Sequence, residues 1–349
     1  EGLDARAFSF SDNDGNTLSM TGNIITEGNG ANGIKFFSGV TNANIDMTGN
    51  ITTSGTAAYG IGMIESDSNT TTLTGDITTT GGFNVVTSYS AYGIGLENSD
   101  SNTTTMIGNI STIGYDADGI VLSASDFNTT ILSGGITTTG NFADGITLLR
   151  GSDSNTTTMT GNITTSGLSA DGIQLDSSDS NIVNMTGNII TSGVAADGIS
   201  INASSNSNTL SITGDVTTTG DTSYGIVLNN SDSNTVNMTG SITTSGSTDS
   251  DAIRLNASDS NTINMTGDIS TSAIYSQGFS ITDSGGNSIE MTGDISTSGD
   301  SGVGIYMLRS DSNNYTMTGN ISTTGRFGYG FLLHTSEYNI VDVTGNITT

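Results

Sequence analysis

The stretch that decides the fold is Met-Thr-Gly-Asn-Ile-Thr-Thr-Ser-Gly at residues 159–167, and close relatives of it recur along the whole chain. Of the twelve intervals between successive copies, eleven measure 26 or 27 residues and one measures 33. Self-similarity at such a period is typical of a solenoid, in which each repeat forms one turn. The glycine that sets the register occurs at Gly22, Gly49, Gly75, Gly108, Gly134, Gly161, Gly187, Gly214, Gly240, Gly267, Gly293, Gly319 and Gly345.

Each repeat contains three short segments with strand character. In the repeat around Gly161 these are Thr157–Thr160, Asn162–Ser166 and Gly172–Leu175, and turn-forming Gly, Ser, Asn and Asp separate them. The abundant Gly, Thr, Ser and Asn are poor helix formers. The pattern therefore predicts an all-β fold: a single parallel β-helix, or β-solenoid, with three strands per turn and about 13 turns of 26–27 residues.

One β-solenoid domain is expected over residues 1–349. Within it we expect a short lead-in at 1–9, a loop insertion at 82–92 where the interval is 33 residues, and a last turn that the chain leaves incomplete.

Apolar residues form columns at fixed positions of the repeat. Two residues before the register glycine the residue is always apolar, as in Met20 and Met317, and two residues after it the residue is always Ile or Val, as in Ile24 and Ile347. Since adjacent strands lie about 4.8 Å apart, equal residues of successive turns should stack in the interior.

An asparagine column is almost as regular. Six residues before the register glycine, Asn occupies twelve of thirteen repeats, and Ala43 is the exception. Stacked amides at a bend are expected to form a hydrogen-bonded ladder. The predicted ladder includes Asn69, Asn102, Asn128, Asn155, Asn181, Asn208, Asn234, Asn261 and Asn313.

The net charge of the chain limits the classes of molecule that are expected to bind it. The chain carries 34 Asp and Glu against 6 Lys and Arg, a formal charge of −28, and it has no Cys. Nucleic acids and anionic membranes bind basic surfaces, so neither is an expected partner. No apolar run approaches the roughly 20 residues of a membrane-spanning helix. Disulfides and thiolate metal sites are excluded, and divalent cations are the natural counterions.

Two acidic columns are candidate Ca²⁺ sites, because calcium prefers carboxylate and carbonyl oxygens. Turn-capping by the carboxylates or outward splay of the side chains are the alternatives. The first column lies eight residues before the register glycine and includes Asp67, Asp100, Asp126, Asp153 and Asp179. The second precedes the third strand and comprises Asp118, Asp144, Asp171 and Asp197.

Repeats such as Thr160–Gly167 followed by Ala170–Ile173 resemble the passenger domains of bacterial autotransporters, and the likeness extends over the whole chain. The resemblance implies a right-handed β-helix exported to the bacterial cell surface, or secreted, where such proteins often serve as adhesins.

Catalysis has few candidate groups. The chain has a single histidine, His334, and its Arg and Lys residues are scattered, so no catalytic residues are assigned and we expect no enzyme. The main expectation is a structural or adhesive surface fibre that stacks head to tail or contacts other surface partners. A β-helical carbohydrate-active enzyme is the weaker alternative.

Two further features suggest contact surfaces. Outward Thr and Ser pairs, such as Thr137/Thr139 and Thr164/Ser166, form a grid that favours an ice- or glycan-binding solenoid as another alternative. The insertion carries Phe83, Tyr89 and Tyr92, aromatic residues of the kind enriched at interfaces.

Overall fold

The computed structural model describes residues 6–81 and 90–349. The chain divides into two compact units, Glu1–Ala170 and Asp171–Thr349. Within the described residues the regular secondary structure consists of β-strands alone, and none of it is a helix that could span a membrane. The predicted all-β parallel solenoid, with three strands per turn and about 13 turns, is confirmed, with six turns in the first unit and seven in the second.

The first unit forms three parallel sheets, which we call A, B and C. Sheet A contains β1 (Phe8–Ser11), β4 (Ile34–Phe37), β7 (Ile61–Ile64), β10 (Ile94–Glu97), β13 (Ile120–Ser123) and β16 (Ile146–Leu149). Sheet B contains β2 (Thr17–Thr21), β5 (Asn44–Thr48), β8 (Thr70–Thr74), β11 (Thr103–Ile107), β14 (Thr129–Ser133) and β17 (Thr156–Thr160). Sheet C contains β3 (Ile24–Glu27), β6 (Ile51–Ser54), β9 (Ile77–Thr80), β12 (Ile110–Ile113), β15 (Ile136–Thr139) and β18 (Ile163–Thr165).

The second unit repeats this architecture with seven strands in each sheet. Its sheet A contains β19 (Ile173–Asp176), β22 (Ile199–Asn202), β25 (Ile226–Asn229), β28 (Ile253–Asn256), β31 (Gln277–Thr282), β34 (Val303–Leu308) and β37 (Tyr329–His334). Its sheet B contains β20 (Ile182–Thr186), β23 (Thr209–Thr213), β26 (Thr235–Thr239), β29 (Thr262–Thr266), β32 (Ser288–Thr292), β35 (Asn314–Thr318) and β38 (Ile340–Thr344). Its sheet C contains β21 (Ile189–Thr191), β24 (Val216–Thr218), β27 (Ile242–Thr244), β30 (Ile269–Thr271), β33 (Ile295–Thr297), β36 (Ile321–Thr323) and β39 (Ile347–Thr348).

The core of each unit consists of like residues stacked in register. In the first unit Met47, Leu73, Met106 and Leu132 pair successively across sheet B and are at most 1% exposed. Alternate residues of each strand face outward, so a chain of low overall hydrophobicity still buries a continuous apolar interior.

The corner between sheets A and B is held by the asparagine ladder. The Oδ1 of Asn128 accepts the backbone N–H of Asn102 at 2.8 Å and the Nδ2 of Asn102 at 3.2 Å. The Nδ2 of Asn128 donates to the carbonyl of Ser99 at 2.9 Å. All nine asparagines of the predicted ladder are at most 1% exposed, and their amides satisfy corner backbone groups that no strand partner reaches.

The corner between sheets B and C requires the register glycine. Gly108 has a φ of 148°, and a Cβ there would lie 2.1 Å from the carbonyl oxygen of Gly75 in the preceding turn. Successive turns therefore approach too closely at this corner for any side chain, which explains why the glycine recurs in every repeat.

Buried threonines occupy two inward columns with different hydrogen bonding. In sheet C, Thr138 Oγ1 donates to the carbonyl of Ala143 at 2.6 Å, which closes the corner to sheet A. In sheet B, Thr130 is 1% exposed and its Oγ1 has no hydrogen-bond partner among the described residues. Val183 and Val236 occupy the equivalent position in later repeats, so this position accepts a side chain without a hydroxyl.

Thr130→Val should therefore raise the free energy of unfolding by about 1 kcal/mol, because it removes a buried hydroxyl without a partner and keeps the β-branched shape. Thr138→Val is the matched control and should lower the free energy by about 1 kcal/mol, since it leaves the Ala143 carbonyl unpaired. Urea unfolding followed by circular dichroism measures both, and equal effects of the two substitutions would contradict this account.

Candidate functional site

The first acidic column caps turns on the surface. Asp100 donates its backbone N–H to Asp67 Oδ1 at 2.8 Å, and Asp126 and Asp153 donate in the same way to the preceding aspartate, each at 2.8 Å. In the second unit, Asp179 Oδ1 accepts the N–H of Asn206 at 2.6 Å. One carboxylate oxygen of each of these four acceptors thus continues the hydrogen bonding between successive turns.

Calcium binding by this column stays a prediction. Among the described residues no group of three or more His, Cys, Asp or Glu side chains is arranged to hold a metal ion. If Ca²⁺ binds the carboxylate oxygens that accept no backbone N–H, the melting temperature should rise when calcium is added and fall when a chelator is added. Identical melting curves under the two conditions would contradict the prediction.

The second acidic column is largely buried rather than solvated. Asp118, Asp144 and Asp171 are 4%, 5% and 6% exposed, and Asp197 is half-buried. In the first unit, Asp118 Oδ1 accepts the N–H of Asp144 at 2.7 Å, and the hydroxyl of Thr147 lies within 3.3 Å of a carboxylate oxygen of each. These contacts show what holds the carboxylates in place; calcium binding by this column stays a prediction.

In the second unit the same column continues through Asp171, Asp197, Tyr224 and Asp251. Asp171 Oδ1 accepts the N–H of Asp197, and Asp197 Oδ1 accepts the N–H of Tyr224, both at 2.7 Å. Burial raises the pKa of Asp171 to about 6 and that of Asp251 to about 7. Burial, together with the neighbouring Asp171, also raises the pKa of Asp197 well above its ordinary value.

The raised pKa of Asp251 predicts a pH-dependent stability. Between the ordinary pKa near 4 and the folded value of about 7, the folded protein holds the proton more tightly, so stability falls as the pH rises. Asp251→Asn mimics the neutral form, and Asn32 shows that an amide fits this column, since its Oδ1 accepts the N–H of Tyr59 at 2.7 Å. We expect the variant to unfold like the parent at pH 4 and to be more stable by up to roughly 4 kcal/mol at pH 8.

The matched control for this measurement is Asp283→Asn. Arg309 donates two hydrogen bonds to Asp283 and lowers its pKa, so this carboxylate stabilises the folded state above its pKa. Compared with the parent, Asp283→Asn should be less stable at pH 8 than at pH 3. Asp251→Asn should show the opposite trend and become more stable than the parent as the pH rises. A stability difference between Asp251→Asn and the parent that does not change with pH would contradict the assignment.

Of the aromatic residues predicted to form a contact loop, Phe83 and Tyr89 lie outside the described residues. Tyr92 is half-buried and stacks on Tyr59, with ring centroids 5.3 Å apart and planes at 18°. The Tyr59 hydroxyl donates to Glu97 Oε1 at 2.5 Å. Burial raises the pKa of Glu97.

The outward hydroxyls of sheet C stack in register. Thr52 pairs with Thr78, and Thr137 pairs with Thr164. Ile113, 49% exposed, occupies a grid position between these pairs. The hydroxyl surface of the first unit is therefore interrupted by an apolar side chain.

His334 is exposed at the end of β37. Its backbone carbonyl accepts hydrogen bonds from the N–H of Arg309 and the hydroxyl of Ser336.

A polar pocket on sheet A of the second unit was missed by the sequence analysis, which treated the arginines as scattered. Its volume is about 290 Å³, and it is lined by Asp197, Asn202, Tyr224, Val227, Asn229, Arg254 and Asn256. The available signal was the column before the third strand, where Tyr224 interrupts the aspartates one turn before Arg254 enters the sheet.

Arg254 is the only cationic residue lining this pocket. Its guanidinium lies 4.8 Å above the ring of Tyr224, and its Nη1 lies 3.6 Å from Asp249 Oδ2 and 3.9 Å from Asp251 Oδ2. The ring and the two carboxylates hold the arginine side chain against the sheet.

An apolar strip was also missed. Tyr115, Phe142 and Leu168 lie at the same corner of three successive turns in the first unit and are 53%, 40% and 43% exposed. The rings of Tyr115 and Phe142 contact each other with centroids 5.3 Å apart, and the N–H of Phe142 donates to the carbonyl of Leu168 at 2.8 Å. Tyr115 and Phe142 thus form an exposed aromatic pair, with Leu168 exposed on the next turn, and we call these three residues the corner strip.

No protein-family model matches the chain, and no curated protein matches its sequence. Two solved alginate epimerases are among the structural matches. A double mutant of the periplasmic alginate epimerase AlgG is 11% identical, with 89% of this chain and 77% of that chain covered and a TM-score of 0.49. The A-module of the mannuronan C-5 epimerase AlgE6 from Azotobacter vinelandii is 12% identical, with 96% and 91% covered and a TM-score of 0.30.

The structure of the Vag8–C1 inhibitor complex gives a TM-score of 0.52 at 14% identity, covering 99% of this chain and 100% of that chain. Vag8 is an autotransporter passenger domain. The predicted resemblance is therefore confirmed at the level of the fold: this chain resembles the β-helical passenger domains of autotransporters.

Proposed function

We propose that this chain is a non-enzymatic extracellular protein of the bacterial cell surface, with a structural and adhesive role, and that it binds other proteins through the corner strip. The observation that carries the proposal is the exposure of Tyr115, Phe142 and Leu168 at one corner of three successive turns, with the rings of Tyr115 and Phe142 in contact. Contiguous exposed apolar side chains mark protein contacts, and tyrosine and phenylalanine are enriched in them.

The use of polar groups supports a scaffold role. Backbone N–H groups of an adjacent turn donate hydrogen bonds to side-chain oxygens of Asn128, Asp100 and Asp118. Side-chain oxygens engaged in this way stabilise the solenoid, which supports a structural role for these columns.

The structural neighbour supports a protein partner. Vag8, which shares the solenoid fold, was determined in complex with C1 inhibitor, a protein. A solenoid offers a long, rigid surface on which a few apolar side chains can bind a partner without disturbing the core.

The adhesion test replaces the corner strip. Beads coated with purified protein are applied to epithelial cell layers, and retained beads are counted after washing. The triple variant Tyr115→Ser, Phe142→Ser, Leu168→Ser should reduce retention at least about tenfold, since loss of central aromatic contacts costs more than 1.4 kcal/mol.

The matched control removes equally exposed apolar side chains elsewhere in the first unit. Ile107, Phe127 and Ile131 are 55%, 66% and 40% exposed and lie away from the strip, on or next to sheet B. Their triple replacement by serine should leave retention unchanged. Undiminished retention of the corner-strip variant, or an equal loss in both variants, would contradict the proposal.

Head-to-tail association of copies into a filament belongs to the same proposal, because strand edges of a parallel solenoid can pair with those of another copy. Negative-stain electron microscopy of purified protein tests it. Filaments of uniform width are expected, and discrete particles at all concentrations would contradict this part.

A further inference from the structure

In the second unit, the three successive turns that contain Asp197, Tyr224 and Asp251 differ from one another at two positions. The column before sheet A supplies these three residues, and the second position of β22, β25 and β28 supplies Ser200, Val227 and Arg254. Of these six residues, Asp197, Tyr224, Val227 and Arg254 line one pocket.

The first unit shows what this column looks like when it is filled. Tyr59 and Tyr92 lie flat on sheet A above Gly62 and Gly95, and a Cβ on Gly62 would lie 2.4 Å from the Tyr59 ring. The stacked rings cover sheet A at these turns, and Tyr59 is 1% exposed.

Tyr224 is arranged differently. The residue three positions after Tyr224 is Val227, whereas the residue three positions after Tyr59 is Gly62. The Tyr224 hydroxyl accepts a hydrogen bond from Arg254 Nη1 at 2.5 Å. The Tyr224 ring and the Arg254 guanidinium line one side of the pocket, whose volume is about 290 Å³. Val227 lies between this side and the side lined by Asn202, Asn229 and Asn256.

The opposite side of the pocket is a row of amides. Asn202, Asn229 and Asn256 end three neighbouring strands in register, and Asn256 Nδ2 donates to Asn229 Oδ1 at 2.7 Å. Amides both donate and accept hydrogen bonds, so this row suits a ligand that also does both.

A buried carboxylate oxygen lies behind the arginine. Asp251 is 1% exposed, and its Oδ2 has no hydrogen-bond partner of ordinary geometry among the described residues. It faces Arg254 at 3.9 Å. A buried carboxylate in this position holds the arginine side chain in place. Because burying a carboxylate destabilises the folded state, its presence here indicates a role at the surface above it.

The charge balance selects the class of ligand. The charge of Arg254 is balanced by Asp249, whose Oδ2 lies 3.6 Å from Nη1, so the pocket has no net positive charge to attract an anionic ligand. Arg254 itself lies where a metal cation would bind the carboxylates. A neutral ligand rich in hydroxyl groups meets amides, a phenol and a guanidinium, and Val227, 6% exposed, is the apolar residue of the lining. The pocket is at the small end of ligand-site volumes of about 300–1,000 Å³.

We propose that this pocket binds one sugar ring of a neutral saccharide, with Arg254 and the row of Asn202, Asn229 and Asn256 contacting its hydroxyls and Val227 contacting its C–H face. The site is independent of the corner strip, which lies in the first unit, and of the sheet C hydroxyl surface. Binding of a neutral glycan here would add sugar recognition to the adhesive role without any catalytic step.

Val227→Tyr tests the pocket by filling it. Tyr306 occupies the same column three turns later, so a tyrosine is accepted on this sheet. The probes are short oligosaccharides of glucose, galactose and N-acetylglucosamine, with oligogalacturonate as the anionic comparison. Saturation-transfer NMR and isothermal titration should show binding of at least one neutral probe to the parent chain, at least about tenfold weaker binding to Val227→Tyr and to Arg254→Gln, and no binding of oligogalacturonate.

Arg309→Gln is the matched control, because Arg309 is an exposed arginine paired with Asp283 elsewhere in the same unit. It should bind the neutral probe as the parent does, and circular dichroism confirms that each variant is folded. Three results would overturn the proposal: no neutral probe bound at about 10 mM, equal binding by Val227→Tyr and the parent, or preference for oligogalacturonate. Loss of cell adhesion by the corner-strip variant with unchanged sugar binding would leave the two sites distinguishable.

Discussion

The structure depends on side-chain oxygens that accept backbone N–H groups from a neighbouring turn. Within the sheets, backbone N–H and carbonyl groups of neighbouring strands form hydrogen bonds with each other. At the corners the backbone bends away from these partners, and its N–H groups would be left unpaired. Asn128 and Ser125 accept from the turn before their own, whereas Asp100 accepts from the turn after it. The corner between sheets A and B is therefore tied in both directions, and each turn is positioned by the turns on either side.

This constraint explains a composition that would otherwise suggest disorder. Short side chains with an oxygen close to the backbone are the ones that can reach an N–H at a corner, and these are Asn, Asp and Ser. A chain with a formal charge of −28 folds because many of its carboxylates, such as Asp67 and Asp232, accept backbone N–H groups and remain near solvent. Exceptions include Glu97 and the carboxylates of the column before sheet A, where burial raises the pKa of Asp171 and Asp251.

The fold could be predicted because the period is imposed on every turn, so thirteen copies report the same strands and the same inward columns. Burial of Asp118 could not be predicted in this way, because it depends on how the loop before sheet A folds against Thr147 of the next turn. The pocket was harder still. Arg254 alone is one of a few scattered cations, and its meaning depends on Tyr224 one turn earlier and Asp251 three residues before it.

The same column serves as scaffold in one unit and as a candidate site in the other. Tyr59 lies over Gly62 and donates its hydroxyl to the buried Glu97, which leaves a closed surface. Tyr224 instead has Val227 as its neighbour and accepts a hydrogen bond from Arg254, which leaves an open one. Because neighbouring turns within each unit are joined by the corner ladders, such a change alters the surface without altering the backbone register. A solenoid of this kind can therefore acquire a binding surface by substituting a few outward residues on adjacent turns, while the ladders keep the strands in place.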